Sequence, residues 1–195
     1  MYLKSTYIRV SNVKLSVKIP DTSIQTLIDL CVKENFEHKA YGNFVVLKVP
    51  SVSSNNSLYT FTVFKRSMLK QCEENAAKQH VNATKVLLNE IDDCIKTLRW
   101  ILDCGEACVL DYQIDNLTAT CSLGRKINIE KFIERNPMIQ NKITFNVEKF
   151  PACFITFKGA KVVLFRSGIF NVLACKSFEE IKEAFSWISE ITAYT

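Results

Sequence analysis

The chain is poor in residues that break a backbone or bind metals. Its 195 residues include only 5 glycines and 4 prolines, and no stretch is of low complexity, which argues against long disordered segments. It has only 2 histidines, and neither completes a zinc-ligand spacing with a cysteine. No apolar run approaches the roughly 18 residues that a membrane-spanning helix needs. We therefore expect a globular protein without a structural metal.

Motifs of the common enzyme classes are also missing. There is no Walker-type glycine loop, no nucleophile elbow and no HExxH pair, and neither histidine lies near a convincing cysteine or serine partner. The chain begins Met1-Tyr2-Leu3-Lys4 without the basic and apolar segments of a secretory signal. We therefore predict a soluble intracellular protein that is not an enzyme, needs no cofactor and keeps its 8 cysteines reduced.

Apolar residues, in contrast, are plentiful. They make up 48% of the chain, and 13 of them are phenylalanine, which is enough for one substantial domain or two small fused ones. The formal net charge is +5, and the excess lies in the first half. That asymmetry permits binding of a polyanion but is equally typical of an ordinary solvated surface.

An internal repeat organises the pattern. Two β-rich segments, 7–19 and 115–127, are each followed by a short amphipathic helix, and an offset of 108 residues aligns Leu15 with Leu123. Further strand-like segments follow each helix. They are Asn43–Val49, Leu58–Phe64 and Met68–Cys72 in the first half, and Ile143–Val147, Cys153–Phe157, Lys161–Phe165 and Ile169–Leu173 in the second.

Each half closes with a helix in this interpretation. The first helix is predicted from about Glu73 to Leu102 on apolar residues spaced by three and four. The second begins at a capping box formed by Ser177 and Glu180. The order β–α–β–β–β–β–α, twice, predicts an α+β fold. One curved antiparallel sheet would carry four helices on its convex face, with repeats at 1–104 and 105–195.

The second half of the chain contains four short motifs at defined spacings. They are Phe150-Pro151-Ala152-Cys153, then Lys161 to Gly168 (KVVLFRSG), then Val172 to Lys176 (VLACK), preceded by Ile114-Asp115-Asn116-Leu117-Thr118. This set resembles the second repeat of the TATA-box-binding protein family. The resemblance implies a saddle-shaped fold whose concave sheet face binds the minor groove of DNA, with phenylalanines that wedge between base steps and kink the duplex.

The resemblance assigns roles to residues of the second repeat. Phe150 and Phe165 take the wedge positions, with Pro151 beside the first. Asn116 falls where an asparagine donates to the minor-groove acceptors of A·T pairs. The remaining candidate DNA contacts are Thr118, Asn171 and Leu173 on the sheet face, and Arg166 and Lys158 toward the phosphates.

The first repeat departs further from the family pattern. Tyr41 stands at one wedge position and Phe64 at the other, while Ile8 replaces the matching asparagine in this alignment. The hairpin at Phe64-Lys65-Arg66-Ser67 lacks the family's glycine. We therefore expect DNA binding without a strict need for a TATA element.

Partners follow from the same resemblance. Double-stranded AT-rich promoter DNA is the implied ligand, and a TFIIB-like factor, a TFIIA-like factor and RNA polymerase are the implied protein partners. Glu148 matches a loop glutamate that contacts the TFIIB-like factor. The implied location is the nucleus, or a viral transcription site if the chain is of viral origin.

Plainer interpretations remain open for the same residues. Each aromatic residue could belong to the core, Asn116 could be a satisfied amide at a strand end, and Glu148 could be an ordinary solvated acid. The chain could also keep the saddle without the DNA and act as an interaction module of a transcription complex. In that case the long helix that closes the first repeat would be the docking element.

Overall fold

The computed structural model describes residues 6–54, 57–65, 79–105 and 107–193. In the first half of the chain the elements are β1 (Thr6–Ile19), α1 (Ile24–Lys33), β2 (Glu37–Ala40), β3 (Phe44–Pro50), β4 (Leu58–Phe64), β5 (Gln79–Val86) and α2 (Ile91–Ile101). In the second half they are β6 (Tyr112–Leu123), α3 (Ile129–Arg135), β7 (Ile143–Thr144), β8 (Ala152–Phe157), β9 (Ala160–Phe165), β10 (Ile169–Cys175) and α4 (Phe178–Ile191).

The ten strands belong to one sheet in the order β2-β3-β4-β5-β1-β6-β10-β9-β8-β7. Every strand pair with an assigned register is antiparallel. Four α-helices accompany this sheet in the described part of the chain. The predicted α+β class, with one antiparallel sheet and four helices, is therefore confirmed.

The chain divides into two compact units. The first unit is Asn12–Asp115, and the second unit combines Met1–Ser11 with Asn116–Thr195. Both boundaries lie inside the long strands β1 and β6, so each of these strands contributes to both units. The repeats expected at 1–104 and 105–195 are thus close to these units but do not share their boundaries.

Alternation along the strands builds the core of each unit. In the first unit, Val45, Leu47 and Val49 of β3 are fully buried, and α1 and α2 pack on this side against β2, β3 and β5. In the second unit, α4 packs on β9 and β10. Full burial of one such aliphatic side chain stabilises the fold by about 1.5–3 kcal/mol. The side chains between the buried ones are left facing away from the helices.

The helix starts follow their capping residues. The Ser177 hydroxyl accepts a hydrogen bond from the Glu180 amide at 3.2 Å, as the capping box predicts. The Glu180 carboxylate accepts from the Lys176 amide at 2.8 Å, one residue ahead of the cap. Asn128 caps α3 in the same way, by accepting from the Lys131 amide.

The long helix predicted from Glu73 to Leu102 is wrong over much of its length. Residues 79–86 form β5, which pairs with β4 on one side and β1 on the other, and the helix starts only at Ile91. Val81 and Ala83 are both buried, and their spacing of two residues is that of a strand. The sequence analysis missed this spacing because Val81 and Thr84 also fit the three-residue spacing of a helix. Since each edge of β5 bonds to another strand, distant partners override the local helical pattern.

One further predicted strand is shorter than expected, and another falls on residues that the structure does not describe. The segment Ile143–Val147 forms a strand only over Ile143–Thr144, because residues 147–149 turn. The strand predicted at Met68–Cys72 lies outside the described residues. The β-rich segment predicted at 115–127 is β6 at Tyr112–Leu123, and the other predicted strands agree with the structure to within two residues at each end.

Candidate nucleic-acid interface

Among the described residues, each unit has helices on only one face of its sheet. In β4, Thr60, Thr62 and Phe64 point away from the buried Tyr59, Phe61 and Val63, and neighbouring strands continue the pattern. We call this surface the first open face; it comprises Asn12, Lys14, Ser16, Lys18, Phe44, Val46, Lys48, Thr60, Thr62, Phe64, His80, Asn82 and Thr84. The second open face comprises Asn116, Thr118, Thr120, Phe154, Thr156, Lys161, Val163, Phe165, Ile169, Asn171 and Leu173.

The strand registers of the two units correspond pair by pair. Ser16 lies opposite Asn82 in the first unit, as Thr120 lies opposite Asn171 in the second. Both pairings are followed by an irregularity, with a left-handed residue at Lys85 (φ 63°) or Ala174 (φ 65°). The outer strands agree as well, because Thr62 pairs with Asn82 as Val163 pairs with Asn171.

This correspondence corrects the alignment of the two halves. With Ser16 equivalent to Thr120, Leu15 corresponds to Ala119 rather than to Leu123. The counterpart of Asn116 is therefore Asn12, and the interpretation that Ile8 replaces a lost asparagine is wrong. Ser16 and Thr120 are 104 residues apart (120 − 16), so the predicted offset of 108 was too large by four. A shift by an even number of residues leaves the same side chains on the buried face of a strand, so the alternation could not reveal it.

Asn12 and Asn116 share an unusual environment. The side-chain oxygen of each is shielded from solvent and has no hydrogen-bond partner among the described residues. Close by, the Ser11 hydroxyl donates to the Thr118 carbonyl at 3.1 Å. A buried amide oxygen without a partner is costly in a folded protein, which sets both positions apart from ordinary strand residues.

Three aromatic rings lie together at the second open face, to which Phe154 and Phe165 belong. Phe150 contacts Phe154 at 5.5 Å and Phe165 at 6.1 Å between ring centroids. Phe150 is 43% exposed and Phe154 is 42% exposed. Pro151, also exposed, separates Phe150 from β8. The structure thus brings the two predicted wedge residues into contact and adds Phe154, which the sequence analysis missed.

A tight turn positions Phe165. The Gly168 amide donates to the Phe165 carbonyl at 2.9 Å, and Gly168 has a φ of 77°. A Cβ at this position would lie 1.7 Å from the Arg125 carbonyl oxygen. Only glycine fits this turn, which explains the Ser167-Gly168 motif in physical terms.

The first unit has a corresponding aromatic cluster with a different arrangement. Tyr41 stacks on Phe44 at 4.5 Å, and Phe44 contacts Phe64 at 5.7 Å. The Lys39 ammonium lies 5.4 Å from the centre of the Tyr41 ring. Phe44 therefore links the two predicted wedge residues. Its position directly opposite Phe64 was not apparent from the sequence, since its second-unit counterpart is the small Ala152.

Hydroxyl and amide side chains pair on both faces. Thr120 Oγ1 lies 3.0 Å from Asn171 Oδ1. Ser16 Oγ lies 2.9 Å from Asn82 Oδ1 and 2.5 Å from the Asp115 carboxylate. Asp115 also lies 3.7 Å from the Lys14 ammonium. Leu173, the last predicted contact on the sheet, is half-buried opposite Lys161.

The two predicted phosphate contacts both lie in ion pairs with helix residues. Arg166 pairs with Glu130 of α3. Lys158 pairs with Glu183 of α4 at 2.8 Å. All four side chains are about half exposed or more, and exposed pairs of this kind are worth little energy. Both cations therefore stay available to a stronger anionic partner.

Glu148 lies in the turn that precedes Phe150. The Asn146 side chain accepts hydrogen bonds from the Glu148 and Lys149 amides at 3.1 and 3.2 Å, and the Phe150 amide donates to the Asn146 carbonyl at 3.0 Å. The Glu148 side chain is exposed. One ordered turn thus carries both the acid and the aromatic ring.

Among the described residues, no cluster of three or more histidine, cysteine or acidic side chains could hold a metal ion. Within the same ranges, no helix is long and apolar enough to cross a membrane.

The fold defines the class of protein. The solved structure of Methanococcus jannaschii TBP matches this chain with a TM-score of 0.70, covering 96% of this chain and 99% of that one at 19% sequence identity. The chain therefore has the TATA-binding protein fold. No curated protein matches it by sequence.

The second half of the chain also matches a protein family by sequence. Residues 111–193 match the family described as transcription factor TFIID, or TATA-binding protein (TBP). This match lies in the second half of the chain.

Proposed function

We propose that this transcription-factor relative binds duplex DNA from the minor groove, bends it and recruits a TFIIB-like factor, a TFIIA-like factor and RNA polymerase. Its place of action would be the nucleus, or a viral transcription site if the chain is of viral origin. It would act without catalysis and without a cofactor. AT-rich promoter DNA is the expected ligand.

The observation that carries the proposal is the exposed aromatic cluster of the second unit. Phe150 and Phe154 each leave more than two fifths of their surface in water while contacting other rings. Exposing such rings is unfavourable unless a ligand covers them. A rigid apolar edge beside an uncovered sheet face suits insertion between unstacked base pairs, where contact area must offset a few kcal/mol of unstacking.

The asparagines supply a reason for binding at the minor groove. Asn12 and Asn116 occupy equivalent positions on the two open faces, and each carries an amide NH₂ that can donate hydrogen bonds. An amide NH₂ is the donor that the adenine N3 and thymine O2 acceptors require. The presence of Asn12 supports readout by both units, contrary to our expectation of readout by the second alone. Thr118 and Asn171, which lies opposite Thr120, belong to the second open face.

The wild-type protein should bind and bend an AT-rich duplex. The double variant Phe150→Ala/Phe165→Ala should bind at least about tenfold more weakly, or by about 1.4 kcal/mol, and should bend the duplex less. Affinity can be measured by anisotropy and bending by energy transfer between end labels. Phe157→Ala is the matched control, because Phe157 belongs to the same hairpin but stacks on Trp187 of α4. Equal binding and bending by wild type and the double variant would contradict wedging.

A protein-interaction module remains the second candidate. Asp115 favours it, because a carboxylate close to Ser16 and Lys14 is unusual on a polyanion-binding surface. This candidate predicts no duplex binding at high protein concentration, together with co-purification with transcription subunits. The predicted docking element of that alternative, the helix from Glu73 to Leu102, is replaced by β5 over residues 79–86.

A further inference from the structure

Cys104 and Cys108 differ from the other cysteines that the structure describes. Both lie between α2 and β6 and are half-buried. The other described cysteines are buried in the core: Cys31, Cys94, Cys121, Cys153 and Cys175. A thiol enclosed by apolar groups is inert, whereas a thiol that solvent reaches can react. Among the described residues, thiol chemistry is therefore open to solvent at this pair.

A turn after α2 brings the two thiols together. The Cys108 amide donates to the Gly105 carbonyl at 3.4 Å, and a hydrogen bond joins the two thiol groups. Gly105 has a φ of 64°, and a Cβ at this position would have nothing within 4 Å. The turn therefore has room to adjust, so that the sulfurs can approach to the distance of about 2 Å that a disulfide bond needs.

Arg99 adds a positive charge next to this turn. The Cys104 amide donates to the Arg99 carbonyl at 3.3 Å, and the Cys104 sulfur lies 3.7 Å from the same oxygen. The Nε of Arg99 is shielded from solvent and has no hydrogen-bond partner among the described residues. A guanidinium close to a thiol favours the thiolate, which is the reactive form.

Cys104 and Cys108 take different roles in such a pair. Burial raises the pKa of Cys104 to about 11, contact with Cys108 adds to the rise, and the charge of Arg99 opposes it. At neutral pH Cys104 therefore keeps its proton, which it can share with a thiolate at Cys108. Cys108 also lines an open cleft of about 400 Å³, together with Pro20 and Val109. A small molecule can reach Cys108 there, which makes it the nucleophile of the pair.

We propose that Cys104 and Cys108 form a reversible oxidation site for small peroxides. The Cys108 thiolate attacks one oxygen of hydrogen peroxide and becomes a sulfenic acid, while the O–O bond breaks and the departing hydroxide takes up a proton to form water. The Cys104 thiol then attacks the sulfenic sulfur, loses its proton and releases a second water as the disulfide forms. The two thiols give up two electrons, and one peroxide becomes two waters. A small thiol in excess reverses the oxidation by thiol–disulfide exchange.

The tryptic peptide 100–125 allows an internally controlled test, because it contains Cys104, Cys108 and the buried Cys121. Native protein is treated with hydrogen peroxide at neutral pH, then unfolded, alkylated and analysed by mass spectrometry. We expect Cys121 to be alkylated, whereas Cys104 and Cys108 are protected and the peptide lacks two hydrogen atoms. Dithiothreitol should make both protected thiols available again.

Alkylation of all three cysteines after peroxide treatment, as in untreated protein, overturns the proposal. Oxidation of Cys121 to the same extent as the pair also overturns it, because the reaction would then not be specific to this turn. The oxidation needs no DNA, so its failure leaves the proposed function untouched, and a failure to bind DNA leaves the oxidation site untouched.

Single variants separate the roles of the two thiols. Cys104→Ser should stop at a sulfenic acid on Cys108, which dimedone traps, and Cys108→Ser should leave Cys104 free for alkylation. Circular dichroism checks that both variants fold. A trapped sulfenic acid on Cys104 in the second variant, with none on Cys108 in the first, would overturn the assigned roles.

Arg99 is tested as a positioning residue by the rate of disulfide formation. Arg99→Gln should slow this rate about threefold or more, since loss of the charge lowers the thiolate fraction. The control Arg135→Gln removes an exposed charge from α3 and should leave the rate unchanged. Equal rates in wild type and Arg99→Gln would overturn the part assigned to Arg99.

Discussion

At the scale of single residues, Asp93 connects α2 to the turn between β3 and β4. The Tyr59 hydroxyl and the Ser51 hydroxyl each donate to one Asp93 oxygen at 2.6 Å. Burial by itself would raise the pKa of Asp93, but hydrogen bonds from Ser51, Ser53 and Tyr59 and the charge of Lys96 outweigh it and lower the pKa. Burial and the bond to Asp93 in turn raise the pKa of Tyr59 above its usual range.

Removing one donor from this carboxylate should destabilise the first unit. Tyr59→Phe deletes a hydrogen bond to a charged group, worth about 1.5–3 kcal/mol, without removing the buried ring. Because the pKa of Asp93 is lowered on folding, its contribution is present above about pH 4 and is lost as pH falls through the folded pKa. The loss caused by Tyr59→Phe, measured by urea unfolding, should therefore be full at pH 7 and smaller near pH 3.

Tyr112→Phe is the control for this experiment, since Tyr112 is 45% exposed and should tolerate the change within about 0.5 kcal/mol. A Tyr59→Phe effect of the same size at pH 7 and pH 3 would mean that the hydroxyl acts through packing and not through Asp93.

At the scale of elements, three glycines allow the turns to be tested separately. Gly168→Ala meets both a φ of 77° and the Arg125 backbone, so we expect a loss of about 3 kcal/mol. Gly159→Ala, at a φ of 89° with nothing within 4 Å, should lose about 1 kcal/mol from strain alone.

Gly42→Ala completes the series, because Gly42 has open space around it and no left-handed backbone. It should be neutral or slightly stabilising, since alanine restricts the unfolded chain. Thermal unfolding of the three variants measures the order. A Gly42→Ala loss as large as that of Gly168→Ala would contradict the clash as the cause.

Prediction of elements from the sequence succeeded where the pattern was local. The strands β4, β9 and β10 and the cap at Ser177 follow from alternation and from capping chemistry. The strand β5 did not, because its apolar residues fit two periods and only pairing with β4 and β1 decides between them. The same reason explains why Asn12 was missed, since the register of β1 depends on its partner strand.

At the scale of the whole molecule, buried thiols link stability to pH. Burial raises the pKa of Cys94, Cys121 and Cys153 to about 12 and that of Cys175 to about 11. A nearby charge adds to the effect of burial at three of these thiols. It comes mainly from Asp93 at Cys94, from Cys175 at Cys121 and from Glu180 at Cys175. An unfolded cysteine loses its proton near pH 8.5. The contribution of these thiols is thus present below pH 8.5 and is lost as pH rises toward the folded values.

Stability should therefore fall steeply in alkali. Each of the four thiols lowers the free energy of unfolding by up to about 1.4 kcal/mol per pH unit above pH 8.5, which is large against the about 5–15 kcal/mol of a typical domain. Urea unfolding under reducing conditions at pH 7, 8.5, 9.5 and 10 measures the slope.

Cys153→Val should reduce that slope by one thiol's share. Ile155→Val, a buried position in the same strand, removes a methylene but no titrating group. It should lower stability about equally at every pH, by about 1 kcal/mol. A pH-independent stability of the wild type between pH 8.5 and 10 would contradict the buried state of the four thiols.

The chain's own residue order was enough to reveal an α+β protein of duplicated pattern, most of its strands, and a second half with the motifs of a known family. These features rest on local alternation, turns and caps, which neighbouring residues specify. Long-range pairing was needed to convert a supposed helix into β5, to make Asn12 the counterpart of Asn116, and to place Phe44 and Phe154 beside the predicted wedge residues. Strand partners far apart in the chain decide such features, because the backbone groups of a strand are satisfied only by another strand.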